Sequence, residues 1–284
     1  MPEGPEVKIT SDGLRYEILN RSLINIFVTE ASRYYKNPFK HFKELNYPIR
    51  INAVYSKGKK ILIEGTDDLG EKVTFISALA MEGSWKLHPG KHAGIELHFS
   101  SGSDLSDSGS NFLDPKILYF HDTRHFGSFD ICLNQDEIDF VLKSVGPDLL
   151  NGDITFEQYN SVVSLDKLKE KEICWFMMEQ KFFSGVGNYL LAEILYACKI
   201  LPTRLLKNLS SKDKYNLWYY SRKLLKDSYE SGGLTIATYF SMTGEKGVFD
   251  TKVYMREKDP LGNPVVTGTF SNKRTSHYVP KIQT

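Results

Sequence analysis

The 284-residue sequence has few cysteines, little net charge and no long apolar run. Its three cysteines, Cys132, Cys174 and Cys198, are scattered and odd in number, which excludes a disulfide framework and a four-cysteine metal site. No apolar stretch reaches the length of a membrane-spanning helix, and the first residues lack the pattern of a secretory signal. We therefore expect an intracellular protein with buried thiols and without a membrane partner.

The net charge is only +1, but its distribution is uneven. Residues 31–64 carry eight basic and two acidic side chains, a net +6, and residues 251–284 carry six and two, a net +4. Residues 96–172 carry six basic and fifteen acidic side chains, a net −9. Such a chain can turn one cationic face toward a polyanion, although ordinary solvated surface charge produces the same pattern.

The pattern of apolar residues changes twice, which predicts three parts. Val7, Leu14 and Ile18 have the spacing of one helical face, and Asn20 is a plausible helix stop. Short β-rich runs follow to about residue 133, then helical runs, then β-rich runs again. We predict an α+β chain with a β-sandwich or barrel domain at 1–134, a helical domain at 135–245 and a β-hairpin module at 246–284.

The individual elements follow from the same patterns. Ser210 or Ser211 suits a helix N-cap, and Gly232-Gly233 suits a helix end. The polar run at 100–110 is typical of a surface loop, and residues 259–264 of a turn. The predicted strands are 23–29, 49–55, 60–64, 73–80, 94–99, 117–122, 128–133, 251–256, 265–269 and 274–279, and the predicted helices are 7–19, 136–144, 155–163, 168–180, 188–198 and 211–230.

The chain opens with a proline that becomes the amino terminus once Met1 is removed. An α-amino group has a pKa of roughly 8, so a useful fraction is unprotonated near neutral pH. A secondary amine that condenses with a sugar carbon forms a cationic iminium, and Glu3 beside Pro2 can move the protons that this chemistry requires. The alternative is structural: Pro2 stiffens the amino-terminal arm, and Glu3 and Glu6 favour the first turn of a helix.

A glycine-rich turn, Gly185-Val186-Gly187-Asn188, runs directly into a predicted helix. Backbone amides at such a helix start can approach a phosphate, and Asn188 can cap the helix or donate to an oxygen. An ordinary tight turn between helices explains the same residues.

Three motifs together resemble one family. The opening Pro2-Glu3-Gly4-Pro5-Glu6, the turn Gly185-Val186-Gly187-Asn188 and the tail Asn272-Lys273-Arg274-Thr275 are similar in order and separation to the Fpg/Nei DNA repair enzymes, the formamidopyrimidine-DNA glycosylases and endonucleases VIII. The resemblance covers nearly the whole chain. It implies an amino-terminal β-sandwich, a helix–two-turn–helix domain and a β-hairpin finger, with damaged DNA bound in a cleft between the halves.

The resemblance also implies roles for particular residues. Pro2 would attack C1′ of the damaged nucleotide, and Glu3 would be the acid/base that opens the deoxyribose ring. Glu6 would support the amino terminus. Five residues match the groups with which the family binds the phosphate beside the lesion. They are Lys59, Gly187, Asn188, Lys273 and Arg274.

Met81, Arg124 and Phe126 match the positions that fill the gap left by an extruded nucleotide. A thioether, a planar cation and a ring suit that work, although core packing is the other explanation for Met81 and Phe126. Contacts to the lesion are expected from residues 232–249, including Tyr239 and Phe240.

Residues 246–284 contain no cysteine, whereas most bacterial relatives hold zinc there. The finger therefore resembles the zincless finger of some Nei-like enzymes, and apolar contacts of Val253, Tyr254, Val266, Phe270 and Tyr278 would have to stabilise it. No metal or other cofactor is expected, since the pairs His88/His92 and His121/His125 lack an obvious third ligand.

The function implied is a bifunctional DNA glycosylase/AP lyase of base excision repair that works by β,δ-elimination. Oxidised pyrimidines and hydantoins are the expected lesions, in double-stranded and as a second option single-stranded DNA. The alternatives are an Fpg-type glycosylase for oxidised purines and a non-catalytic binder of damaged or abasic DNA. The protein is expected to be a monomer in the nucleus, nucleoid or viral replication compartment, according to its source.

Overall fold

The structure is a computed structural model that describes residues 2–100, 115–234 and 247–284. The predicted loop at 100–110 lies outside these ranges except for Ser100, and so do Tyr239 and Phe240. The described residues fall into two compact units. The first contains Pro2 and residues 6–143, and the second contains residues 3–5, 144–234 and 247–284. The predicted domain boundaries at 134/135 and 245/246 stay a prediction.

The chain begins with helix α1 (Gly4–Ile18), whose apolar face belongs to the core of the first unit. Val7, Leu14 and Ile18 are all buried there, so the predicted face is confirmed. Asn20 has a φ of 64°, the left-handed conformation that ends a helix.

An antiparallel sheet of eight strands forms the body of the first unit. Along the sheet their order is β5-β7-β6-β1-β2-β3-β4-β8. The strands are β1 (Ser22–Val28), β2 (Ile49–Lys57), β3 (Lys60–Thr66), β4 (Lys72–Ala78), β5 (Ser84–Lys86), β6 (Ala93–Phe99), β7 (Lys116–His121) and β8 (Ser128–Cys132).

The two ends of this sheet meet, so it encloses a core as a sandwich. Trp85 on β5 and Phe129 on β8 lie at opposite ends of the strand order, yet their ring centroids are 6.0 Å apart. The Trp85 indole also donates to Ser77 Oγ on β4 at 3.2 Å. The predicted sandwich is confirmed. Strand β5 was not predicted, because three residues are too few to show an alternating pattern.

Helices follow the sheet. They are α2 (Gln135–Leu142), α3 (Phe156–Val163), α4 (Ile173–Met178), α5 (Asn188–Cys198) and α6 (Ser211–Glu230). Ser210 caps α6 in a reciprocal capping box with Asp213, as the sequence predicts, while Ser211 is already helical. Gly232 and Gly233 follow the end of α6 with φ values of 74° and 91°.

The predicted helix at 168–180 is wrong in length. A 3₁₀ turn (Asp166–Leu168) and the short α4 replace it. Residues 169–172 form a turn and a single bridge to Leu205, and the amides of Leu206 and Lys207 donate to the carbonyls of Lys171 and Lys169. The pattern of apolar residues could not reveal this pairing, which joins segments 35 or more residues apart in the chain.

Strands β9 (Val266–Thr269) and β10 (Thr275–Tyr278) pair as the predicted hairpin. The third strand predicted in this region, at 251–256, is wrong: these residues form turns. Their amides bind a buried carboxylate of α5 instead of a neighbouring strand, as described below. Asp259 accepts hydrogen bonds from the amides of Leu261 and Asn263 and so fixes the predicted turn at 259–264.

Candidate active site

The Glu3 carboxylate is held at the amino end of α5. The amides of Gly187 and Tyr189 donate to its two oxygens at 2.7 and 2.9 Å, and the Leu190 amide lies 3.4 Å away. The amides of a helix's first turn have no partner within the helix, and its dipole favours negative charge there. The side chain is 2% exposed, so its negative charge is stabilised by the helix rather than by water.

This arrangement corrects one expectation from the glycine-rich turn. The helix amides that were expected to meet a phosphate are occupied by Glu3. Gly187 is required at this point because a Cβ there would lie 2.2 Å from Glu3 Cδ. The Gly4 amide also donates to the Gly185 carbonyl at 2.8 Å, and Gly185 has a φ of 110° that favours glycine.

Asn188 joins the start of α5 to the finger. The N-cap of α5 is Gly187, so Asn188 does not cap the helix. Its side-chain amide donates instead to the Thr275 carbonyl at 3.0 Å. Thr275 begins β10 and directly follows Arg274. The second unit therefore brings three of the predicted residues together: Glu3 and Asn188 at the helix start and Arg274 at the finger.

The finger loop is shaped by its own polar groups. Arg274 and Lys273 are exposed in the connection between β9 and β10. The Asn272 side chain accepts from the Arg274 amide at 3.2 Å, and Lys273 has a φ of 55°. This turn leaves both cationic side chains outside the folded hairpin, where a phosphate can reach them.

Tyr254 is a neighbour of this site that sequence reasoning counted only as an apolar contact. Burial raises the pKa of Tyr254, a hydrogen bond with the Asn188 side chain lowers it, and the nearby charge of Glu3 raises it again. The His277 ring lies edge-on to the Tyr254 ring at 4.9 Å, and burial lowers the pKa of His277. The tyrosine thus places a hydroxyl group beside Asn188.

Glu193 anchors the segment that carries Tyr254, and sequence reasoning missed it. Its carboxylate accepts from the amides of Lys252, Val253 and Tyr254 at 2.9 to 3.0 Å. The sequence did contain a signal for it, because Glu193 is the sole charged residue in the apolar sequence of α5. In the structure it is 3% exposed. A buried carboxylate requires hydrogen-bond donors, and the finger supplies them.

Lys59 lies in the first unit at the tip of the β2–β3 hairpin. Lys57 and Lys60 close this two-residue turn, and Gly58 adopts a φ of 57° in it. Lys60 reaches the Ser128 hydroxyl at 3.4 Å, and burial lowers its pKa. Lys59 and Lys60 are both partly buried, and the role of Lys59 as the phosphate lysine stays a prediction.

The residues predicted as a wedge also lie in the first unit. Phe126 is 54% exposed, so core packing does not explain it, while Met81 is half-buried. The Arg124 guanidinium lies 5.1 Å from the centre of the Phe126 ring and forms an ion pair with Glu82 at 3.6 Å. An exposed ring beside a planar cation has the chemistry expected of a wedge.

Pro2 and Glu6 are both buried at the start of α1, with Glu6 1% exposed. Cys132, Cys174 and Cys198 are buried free thiols, as predicted. Within the described ranges, no group of three or more histidine, cysteine, aspartate or glutamate residues could hold a metal ion. In the same residues, no helix has both the length and the apolar character needed to span a membrane.

Comparison with known proteins identifies the family. The formamidopyrimidine-DNA glycosylase N-terminal domain matches residues 1–129, its H2TH domain residues 145–239 and its C-terminal domain residues 243–284. Formamidopyrimidine-DNA glycosylase of Streptococcus agalactiae is 29% identical over 266 residues, which cover 93% of this chain and 90% of that protein. The enzyme of the same name from Listeria monocytogenes is 26% identical over the full length of both chains.

Solved structures agree. The MutM (Fpg) protein of Thermus thermophilus matches with a TM-score of 0.82 and 26% identity, over 99% of this chain and 98% of that one. Lactococcus lactis Fpg in complex with abasic-site DNA matches with a TM-score of 0.80 over 99% of both chains, and at 22% identity it supports the fold. The chain therefore belongs to the formamidopyrimidine-DNA glycosylase (Fpg/Nei) family and is a DNA glycosylase of base excision repair.

Proposed function

We propose that this glycosylase works through a Schiff base on Pro2 and then cuts the DNA strand by β,δ-elimination. The observation that carries the proposal is the Glu3 carboxylate, buried and fixed by the Gly187 and Tyr189 amides one residue from Pro2. A reactive amine needs a positioned acid/base, and this carboxylate is held by backbone rather than by mobile side chains.

The steps follow from the two groups. After removal of Met1, Glu3 takes a proton from the Pro2 ammonium, and the amine attacks C1′ while the damaged base leaves. The departing base takes up the remaining proton of the amine, Glu3 returns its proton to the ring oxygen, and the deoxyribose opens as the iminium forms. The iminium acidifies the C2′ protons, so the 3′ phosphate leaves by β-elimination and the 5′ phosphate by δ-elimination. Each step uses Pro2 and Glu3 alone as reacting protein groups.

The remaining predicted residues are proposed to bind the DNA. Lys59, Asn188, Lys273 and Arg274 would bind phosphates next to the lesion, and the Tyr254 hydroxyl beside Asn188 would add a donor. The catalytic domain would be residues 1–134, the helix–two-turn–helix domain residues 135–245 and the finger residues 246–284. Met81, Arg124 and Phe126 would fill the gap left by the extruded nucleotide. Such a substrate requires an intracellular site of action.

Borohydride trapping tests the chemistry. Protein without Met1 should give a covalent adduct with abasic-site DNA in the presence of borohydride, because the reagent reduces the iminium. Protein with an amino-terminal extension and the Glu3→Gln variant should give little adduct while still binding the DNA. Binding by the processed protein without an adduct would instead indicate a non-catalytic binder of abasic DNA.

Two lesion classes are proposed. Oxidised pyrimidines and hydantoins agree with Gly4, which resembles the Nei opening, and with the finger that lacks cysteine. Oxidised purines agree with the relatives named formamidopyrimidine-DNA glycosylase. Excision rates for thymine glycol, a hydantoin and 8-oxoguanine, measured in single and double strands, would separate the two classes.

A further inference from the structure

The loop at residues 122–127 carries Arg124 and Phe126, and hydrogen bonds within the loop fix part of its conformation. The Asp122 carboxylate accepts from the Gly127 amide at 2.6 Å and from the Arg124 amide at 3.3 Å. These bonds fix the two ends of the loop. The residue between the two wedge side chains, His125, has a φ of 56°, a conformation that costs a non-glycine residue about 1 kcal/mol.

The loop is also held from outside, by Arg33. One guanidinium nitrogen donates to the His125 carbonyl at 3.2 Å, and the other donates to the Tyr34 hydroxyl at 2.6 Å. The Tyr34 hydroxyl in turn accepts from the Phe129 amide at 3.2 Å. Because Phe129 belongs to β8 and is fully buried, Arg33 ties the tip of an exposed loop to the rigid sheet.

The chemistry of arginine suits this work better than that of lysine. A planar guanidinium donates to two acceptors in a fixed geometry, whereas an ammonium group is a point charge on a flexible stem. The space enclosed by Arg33, Tyr34, Asp122, His125 and Gly127 is about 20 Å³. It has room for about one water molecule, so these contacts build a support and not a ligand pocket.

We infer that Arg33 is a positioning residue for base extrusion: it holds the loop at 122–127 so that Arg124 and Phe126 enter the DNA stack. Arg33 touches neither Pro2 nor Glu3 in this role. The inference rests on the proposed function, in which these two side chains fill the gap left by the flipped nucleotide. A small displacement of a positioning contact is expected to lower the rate by about tenfold or more.

The experiment compares two substrates that differ in their need for extrusion. One is a duplex with a damaged base, and the other is a single strand with a preformed abasic site. Arg33→Gln should lower the rate of base excision from the duplex by about tenfold and leave cleavage of the abasic strand within about twofold of wild type. A fluorescent base analogue next to the lesion should show slower unstacking. Arg33→Lys should recover little.

Two further variants complete the design. Lys36→Gln removes the same charge from an exposed position of the same segment and should behave as wild type. Tyr34→Phe removes the second acceptor and should give a smaller defect of the same kind. Thermal unfolding of each variant verifies folding.

Equal losses of Arg33→Gln on both substrates, or a loss that high salt abolishes, would show that Arg33 binds DNA directly and would overturn the inference. Unchanged excision from the duplex would overturn it as well. If wild-type protein cleaves neither substrate, the proposed function fails, and that result is separate from any effect of Arg33.

Discussion

Three buried carboxylates, Glu3, Glu193 and Asp259, do similar work at the scale of single residues. Each accepts hydrogen bonds from backbone amides of its own unit. Bonds of this kind to a charged group contribute about 1.5–3 kcal/mol each, and a buried acceptor that loses its donors is costly. Glu193 and Asp259 therefore fix backbone segments without regular secondary structure, and Glu3 binds the first amides of α5.

Gly187→Ala tests how closely catalysis depends on the position of Glu3. The backbone at Gly187, with φ −129° and ψ −156°, is open to alanine, so the cost is the contact of the new Cβ with Glu3 Cδ. The Glu3 side chain should swing away from the α5 amides. We expect a loss of about 100-fold in the single-turnover excision rate with DNA affinity retained.

Gly262→Ala is the control for that experiment. Its φ of 80° makes alanine strained, but nothing lies within 4 Å of the new Cβ. It should lower stability by about 1 kcal/mol and leave the excision rate unchanged. Full activity of Gly187→Ala would contradict the role assigned to the Glu3 position.

Much of the candidate site could be predicted at this scale, and the missing part has a physical reason. Pro2 and Glu3 were singled out because amine and carboxylate chemistry is local in sequence. Tyr254 and Glu193 could not be assigned roles, since their functions depend on contacts with Asn188 and with residues 252–254, which are distant in the chain. Arg33 was counted only as one charge in a basic stretch.

At the scale of elements, apolar and polar side chains hold the finger against the helical part of its unit. Val253 and Val279 pack with Ala192 of α5, and Gln283 accepts from the Val279 amide and donates to the Ile200 carbonyl. Apolar contacts were predicted to stabilise the finger, but buried polar groups contribute as well. The predicted strand at 251–256 failed for this reason: its amides bind Glu193, an arrangement that residue patterns do not reveal.

Glu193→Gln tests this anchor. A glutamine keeps the shape but loses the charge and turns an amide donor toward backbone donors. We expect the protein to lose about 1.5–3 kcal/mol of stability, with protease cleavage first in residues 247–284. Thermal unfolding and timed proteolysis measure both effects, and Glu170→Gln, at an exposed ion pair with Lys207, is the matched control.

The same measurements test whether the finger depends on a bound metal ion. A chelator should change neither the unfolding temperature nor the activity of the wild-type protein. A Glu193→Gln variant as stable as wild type, or a finger that unfolds on chelation, would contradict this description of the finger.

At the scale of the whole molecule, the family match confirms the predicted three-part α+β fold and the enzyme class, a DNA glycosylase with lyase activity. The order of the motifs was sufficient for that result, because they are spread along nearly the whole chain. The lesion and the elimination pathway stay predictions. They depend on side chains that meet a substrate, and part of the segment expected to do so lies outside the described residues.

Stability should vary with pH through a cluster in the first unit. His41 lies between Glu44 and Glu137, at 2.9 and 2.7 Å, and hydrogen bonds to Glu137 and Glu44 raise its pKa. A hydrogen bond from Lys40, one from the Leu133 amide and one from His41 lower the pKa of Glu137 to about 2. These shifts stabilise the fold while both charges are present.

The pH range in which this cluster stabilises the fold follows from the directions of the two pKa shifts. The contribution of His41 is complete below its ordinary pKa of about 6.5 and is lost as pH rises through the higher folded value. The contribution of Glu137 is complete above its ordinary pKa of about 4.3 and is lost as pH falls toward about 2. Glu137→Gln should therefore lower the melting temperature most between about pH 4.5 and 6.5, by about 2–4 °C. A difference that does not vary from pH 4.5 to 9 would contradict the role of His41.

The hydrogen bonds of Glu3 also limit how this enzyme can be divided. Residues 3–5 fold with the second unit, whereas Pro2 and the helix from residue 6 onward fold with the first. A cut between residues 143 and 144 would therefore separate Pro2 and Glu3 from the α5 amides that hold the Glu3 carboxylate. A chimaera that exchanges the first half of this protein for that of a relative must also inherit a compatible α5, so the opening motif and the glycine-rich turn are expected to change only as a pair.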